Sequence, residues 1–167
     1  MKRLIVYYSL SGNTKEAALK IADRLGADTL QIDTVKAMPK SFAARILVGG
    51  GQVMMNHVPK LKPLDKNPSS YDEIILGSPI WNNKGVPAIN AFLNDPAAAE
   101  KVTSLFFSSG GGNTKKGLEA ITKKLPNLKH TVSLLDRKHE CARFALLSLK
   151  RKLFVYNNIT AGHSRHK

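Results

Sequence analysis

Seven consecutive residues near the amino end, Ser9, Leu10, Ser11, Gly12, Asn13, Thr14 and Lys15, put three hydroxyls, a glycine and an amide between an apolar run and a helical pattern. A loop of this make-up can turn successive backbone N–H groups inward at the positive end of a helix dipole, with the hydroxyls as further donors. That chemistry suits a phosphate dianion. The Walker A spacing of a second glycine followed by Lys-Ser or Lys-Thr is absent, and so is the dinucleotide pattern GxGxxG. An ordinary helix start, with Asn13 or Ser11 capping the first N–H groups, accounts for the same residues equally well.

Two later segments have equally unusual compositions. Gly77, Ser78, Pro79, Ile80, Trp81, Asn82 and Asn83 place the single tryptophan of the chain in a polar stretch. There an indole can stack on a flat ligand and still use its N–H, or can serve as a packing residue. Ser108, Ser109, Gly110, Gly111 and Gly112 carry three glycines in a row. Either close approach of backbone to a ligand or a flexible turn explains them. Acids, bases and nucleophiles are poorly represented in any recognisable pattern. His57, His130, His139, His163 and His166 lack metal-ligand spacing, and Cys141 stands alone without a surrounding motif. Asp136 and Glu140 read as a carboxylate pair on a helix surface. No catalytic side chain and no metal site is expected.

The elements that must position these segments follow from periodicity. Residues 4–8 (LIVYY) form a continuous β-branched and aromatic run, as a strand buried on both faces requires. From Thr14 the apolar positions Ala17, Ala18, Ile21, Ala22 and Leu25 recur at helical spacing, and Gly26 stands where a C-cap belongs. Residues 28–34 alternate as a second strand, completing a βαβ opening. Residues 35–70 are irregular, with a short helix expected over 40–48, three glycines at 49–51, and Pro59, Pro63 and Pro68 marking a surface connection. Further strands are expected over 72–76, 102–107 and 131–135. Helices are expected from Pro87 with Ile89, Phe92 and Leu93 inward, along Leu118, Ile121 and Leu125, and over 140–153. The pattern is one doubly wound α/β domain with five parallel strands, and the three unusual segments follow its first, third and fourth strands. Ligands in such sheets bind beyond the carboxyl ends of the strands, near the point where strand order reverses.

The 167 residues suit one domain, and hydrophobic and charged fractions of 43% and 23% exclude wholesale disorder. No apolar run approaches a membrane span, and the amino end lacks the pattern of a secretory leader. One cysteine excludes an internal disulfide, pointing to the cytoplasm. Charge is the abnormal quantity: 26 basic against 12 acidic side chains, a net +14. Residues 1–114 hold 13 basic and 9 acidic groups, whereas residues 115–167 hold 13 and 3. Such an asymmetry accompanies anion or nucleic-acid binding, or simply a solvated basic face.

The first segment, Ser-x-Ser-Gly-Asn-Thr after a hydrophobic strand, resembles the phosphate-binding loop of flavodoxins, Thr/Ser-x-Thr/Ser-Gly-x-Thr, with Leu10 at the free position. Residues 77–81 resemble the Gly-x-Pro-Ile-Trp loop of a flavodoxin-like subfamily, and residues 108–112 resemble its Ser-Gly-Gly loop. Similarity extends over residues 3–135, including Leu61 to Leu64, and fades beyond. The resemblance implies a sheet of strand order 2-1-3-4-5 with helices on both faces, a domain over 1–153, and a basic tail over 154–167 expected to be partly disordered. It implies FMN as cofactor, with the phosphate on Ser9, Leu10, Ser11, Gly12, Asn13 and Thr14. The ring would lie between Pro79, Ile80, Trp81, Asn82 and Asn83 on one side and Ser108, Ser109, Gly110, Gly111 and Gly112 on the other. The implied role is electron transfer from a nicotinamide cofactor or partner protein to a protein or small-molecule acceptor. An oligomeric NAD(P)H:quinone reductase of the same fold is the first alternative. A non-enzymatic module binding another anion, or nucleic acid through its basic third, is the second. Flavodoxins are typically acidic, so +14 departs from the family and points to acidic partners, anionic substrates or a membrane surface as its electrostatic complement, while the resemblance does not imply nucleic acid.

Overall fold

A computed structural model describes residues 1–36, 38–39, 48, 51, 58–80, 86–109 and 115–135. The expected helices over 40–48 and 140–153, and the tail over 154–167, lie wholly or almost wholly outside those residues. The strands are β1 (Arg3–Tyr7), β2 (Asp28–Gln31), β3 (Glu73–Pro79), β4 (Val102–Ser109) and β5 (His130–Leu135). Between them stand α1 (Asn13–Leu25), α2 (Pro87–Phe92), α3 (Pro96–Glu100) and α4 (Lys115–Thr122). All strand pairs are parallel, in the order β2-β1-β3-β4-β5. The chain runs from β1 to one side, then crosses to β3 on the other, so the order reverses at the carboxyl ends of β1 and β3.

Alternation along the strands feeds two cores. Ile5, Tyr7, Ile75, Phe106, Val132 and Leu134 face α1, which meets them with Ala17, Ala18, Ile21 and Ala22. Leu4, Val6, Ile74, Leu76, Leu105 and Phe107 face the other way, toward Ile89 and Phe92 of α2, Ala98 and Ala99 of α3, and Ile121 of α4. Gly26 closes α1 in the left-handed conformation, its N–H donating to the Ala22 carbonyl.

Two strands run further than the sequence pattern predicts. β3 continues through Gly77 and Ser78 to Pro79, and β4 continues through Ser108 and Ser109. Turn-forming residues are held in the sheet because each extension has a neighbour to pair with: Gly77 lies opposite Tyr7 and Phe106, and Pro79 opposite Ser108. Gly77 also leaves room for the Phe106 ring, whose edge would lie 2.3 Å from a Cβ at that position. Helix α3 is an element that apolar periodicity did not reveal. Its five residues are too few for a stripe, but Asp95 caps it by accepting the Ala97 N–H at 3.0 Å, and Pro96 opens it.

The amino ends of the strands are tied by polar contacts. Arg3 Nε donates to Glu73 Oε2 at 2.9 Å, and Thr103, where β4 carries one extra residue against β3, donates to the other Glu73 oxygen. Tyr71 donates its phenolic proton to Asp28 Oδ2 at 2.7 Å, and that bond with the neighbouring carboxylate pushes the phenol above the ordinary 10.0. Burial, with the Asp33 charge, raises Tyr7 in the same direction. Both phenols therefore hold their protons more tightly folded than unfolded. The stability they contribute is complete below pH 10 and is lost as pH climbs through the raised folded values. Absorbance titration near 295 nm should accordingly show tyrosines ionising later than free phenol. Tyr71→Phe should remove one late step and lessen the alkaline loss of stability; a variant titrating like the parent would contradict the Asp28 bond.

Candidate functional site

The turn after β1 begins at Tyr8, whose N–H donates to the Gly77 carbonyl at 3.2 Å, so the loop leaves the sheet beside β3. Gly12 occupies the N-cap position of α1 with φ 97°, in the left-handed region, and its carbonyl accepts the Glu16 N–H at 2.8 Å. No side chain at Gly12 can cap the helix. That task falls to Ser9, three residues earlier: its Oγ accepts the N–H groups of Gly12 and Lys15, each at 3.2 Å. Two backbone donors thus converge on one oxygen at the positive end of a thirteen-residue helix. The sequence pattern points to Asn13 or Ser11 for the cap; Ser9 takes the role instead, because a cap from that distance depends on the left-handed turn at Gly12.

Exposure divides the loop. Ser11 and Gly12 are exposed, and Ser9, Leu10 and Asn13 are half-buried. The Leu10 side chain packs against the core on the face opposite α1, as does Ile80 beyond β3. Thr14 differs from the rest: it is 2% exposed, and its Oγ1 shares a hydrogen bond of 2.7 Å with Ser108 Oγ. Ser108 is 5% exposed, and its carbonyl accepts the Ile80 N–H at 3.1 Å. Through side chain and backbone, Ser108 therefore joins the turn after β1 to the chain leaving β3.

Ser109, the last residue of β4, is 6% exposed, and its Oγ has no hydrogen-bond partner among the described residues. A buried hydroxyl without a partner loses its hydration uncompensated, so at a sheet's carboxyl end it suits a bound polar group. Ser104 Oγ is also unpartnered, but Ser104 is fully buried near the amino end of β4, between β3 and β5. Pro79 ends β3, where its missing N–H costs no ladder bond, and its carbonyl accepts the Ser78 hydroxyl at 2.9 Å. Trp81, Asn82, Asn83, Gly110, Gly111 and Gly112 lie outside the described residues.

The structure thus brings together Ser9 to Thr14, Pro79, Ile80, Ser108 and Ser109 at the carboxyl ends of β1, β3 and β4. Among the described residues no group of three or more His, Cys, Asp or Glu could hold a metal ion. No helix among them is long and apolar enough to cross a membrane. A cleft of about 320 Å³ lined by Leu93, Pro96, Ala99, Lys124 and Pro126 lies at the opposite end of the sheet, on segments that enter β4 and β5. It has no part in this convergence.

Comparisons with known proteins agree with the geometry. The sequence model of the flavodoxin family matches residues 2–142. The solved structure of a flavoprotein from Lactobacillus acidophilus in complex with FMN is 26% identical, superposes with a TM-score of 0.67, and covers 79% of this chain and 91% of its own. A Bacteroides eggerthii protein classed as a flavoprotein is also 26% identical, with a TM-score of 0.65 over 89% of this chain and 96% of its own. A search of curated protein sequences finds no match.

Proposed function

The chain belongs to the flavodoxin family, and from that premise we propose that it binds FMN at the carboxyl ends of β1, β3 and β4 and carries electrons between a reduced donor and an acceptor. The observation that carries the reading is the convergence of the Gly12 and Lys15 N–H groups on one oxygen at the start of α1. A phosphate oxygen that takes the place of the Ser9 hydroxyl meets two donors already aimed and a favourable helix field. The chain fits the group in two further ways. Gly12 has no neighbouring atom within 4 Å of where a Cβ would stand, leaving the turn open, and the buried Ser109 hydroxyl is left for a ring atom.

When bound, FMN supplies the redox chemistry, and the protein contributes binding, orientation and electrostatics. In this reading the segment from Ser9 to Thr14 holds the phosphate. The segments starting at Pro79 and Ser108, with Trp81 and the glycines beyond, enclose the ring and exclude water from it. No side chain is required as acid, base or nucleophile. The test is direct: purified protein should be yellow, and apo-protein titrated with FMN should quench flavin fluorescence to a stoichiometric end point. Colourless protein that FMN does not saturate would refute the reading.

Charge supports an acidic or anionic partner. A net +14 sets up a positive potential that speeds encounter with a negative surface and favours an anionic reduced flavin, raising its potential relative to an acidic relative's. Electron transfer to an acidic acceptor protein should therefore slow steeply as ionic strength rises, because screening shortens the reach of that field to roughly 10 Å at 0.1 M salt. Transfer that quickens with salt would point to a basic partner instead.

A further inference from the structure

We infer that the short antiparallel ribbon in the connection between β2 and β3 is a peripheral docking face for an anionic phospholipid surface, whether or not the chain binds a flavin. Six large apolar side chains are exposed among the described residues, and four of them, Val35, Val48, Val58 and Leu64, belong to this one connection. Single scattered exposures are ordinary on a protein surface, but exposures gathered in one segment and set among lysines are not.

The ribbon begins where β2 ends. Thr34 bridges Leu61 in antiparallel fashion, flanked by the Val35 N–H donating to the Lys60 carbonyl and the Lys62 N–H donating to the Asp33 carbonyl, each at 2.9 Å. Leu61 is half-buried and packs against the core on the face opposite α1, which fixes the inner side of the ribbon. Its sequence neighbours point the other way, as alternation along an extended chain requires. Exposure follows that alternation: Val58, Lys60 and Lys62 are exposed, whereas Pro59 and Leu61 between them are half-buried. Val35 stands opposite Lys60 and is 55% exposed, against 51% for Val58. Among the described residues neither Lys60 nor Lys62 has an ion-pair partner. The outer side of the ribbon therefore presents two valines beside two uncompensated ammonium groups.

Residue type chooses the occupant. Protein interfaces are enriched in Trp, Tyr and Arg and depleted in Lys, and none of the first three occurs in residues 33–36 or 58–66. Aliphatic side chains interleaved with lysines suit a bilayer instead. The valines reach past the headgroups, and the lysine stems follow them while the ammonium groups stay with the lipid phosphates. A net +14 supplies the longer-range attraction to such a surface, and the ribbon supplies the contact.

Cosedimentation of the full chain with vesicles tests this. The parent protein should bind vesicles of equal parts phosphatidylcholine and phosphatidylglycerol and stay in solution with pure phosphatidylcholine. Lys60→Glu combined with Lys62→Glu should weaken binding by at least roughly 25-fold, since each lysine near an anionic surface contributes about fivefold. Lys123→Glu with Lys124→Glu makes the same change in net charge just past the end of α4 and should cost less than about fivefold. Val35→Ser with Val58→Ser should weaken binding roughly tenfold. All three double variants should keep the parental thermal midpoint, because the altered side chains are exposed. A parent protein that ignores anionic vesicles overturns the inference and leaves the face to an acidic protein. Equal losses from the two lysine pairs overturn it as well, since net charge and not the ribbon would then make the contact. So does full retention of binding by the valine pair, which reduces the contact to attraction between opposite charges. No flavin enters these measurements, so vesicle binding and FMN binding can each fail without the other.

Discussion

Alanine at position 77 is expected to destabilise the protein by about 2 kcal/mol, a fall in thermal midpoint of roughly 4–8 °C for a domain of this size. The new methyl would stand 2.3 Å from the Phe106 Cζ and 2.8 and 2.9 Å from its two Cε atoms. Phe106 cannot swing aside cheaply, because its ring is fully buried in the core beneath α1. Nor can the backbone retreat, since Gly77 sits between two paired strands, opposite Tyr7 on one side and Phe106 on the other. Overpacking of this kind pushes β3 and β4 apart or drives the ring off its rotamer. Phe106→Leu removes the offending ring atoms at the cost of a cavity. Urea unfolding of the two singles and the double should thus show a double less destabilised than the sum of its parts. Strict additivity would mean that the close approach does not exist in solution. Because Gly77 is two residues from Pro79, a displaced β3 end should also lower FMN affinity in Gly77→Ala, and the double variant should recover part of it.

The same glycine explains where sequence reasoning stopped short. Gly77, Ser78 and Pro79 are turn formers, so the pattern ends the third strand at Leu76; pairing with Tyr7 of β1 and with β4, and the space required by Phe106, hold them in the sheet. The same composition predicts a loop at Ser108 and Ser109, and pairing with Pro79 and with β5 keeps them in β4. What was legible had a local cause: the apolar runs of buried parallel strands, the helical stripe of α1, and the left-handed Gly26 that ends it. Strand order came from resemblance, since periodicity carries no information about which strands are neighbours. The composition of the loop after β1 suits an anion, but its hydrogen bonds could not be read from it. Ser9 acts as a cap only because Gly12 turns the chain back toward it, and Thr14 meets Ser108 only through the packing of α1 on the sheet. α3 is a different case, since Asp95 followed by Pro96 was a readable start signal that five residues without an apolar stripe left unsupported.

Gly12→Ala should weaken FMN by roughly tenfold while leaving riboflavin within about twofold, a selective loss that isolates the phosphate turn from the ring subsite. The reason is conformational. No atom lies within 4 Å of a Cβ built at Gly12, so the substitution meets no steric contact with the rest of the protein. Its φ of 97° is another matter, because an L-residue held there is strained by about 1–2 kcal/mol, and 1.4 kcal/mol corresponds to tenfold in affinity. The chain can relieve that strain by moving to negative φ, but doing so rotates the peptide that points the Gly12 N–H at Ser9 Oγ. Relief of strain and preservation of the cradle are therefore mutually exclusive, and FMN has to restore the strained turn each time it binds. Asparagine tolerates left-handed backbone better than alanine does, so Gly12→Asn should fall between parent and alanine variant. Dissociation constants from flavin fluorescence for the three proteins, each with FMN and riboflavin, decide the matter. The order glycine, asparagine, alanine for FMN and near-equality for riboflavin identify the turn as the phosphate site. Equal losses for both flavins would mean that Gly12 supports the ring, and an alanine variant with parental FMN affinity would show that the left-handed turn is not needed for binding.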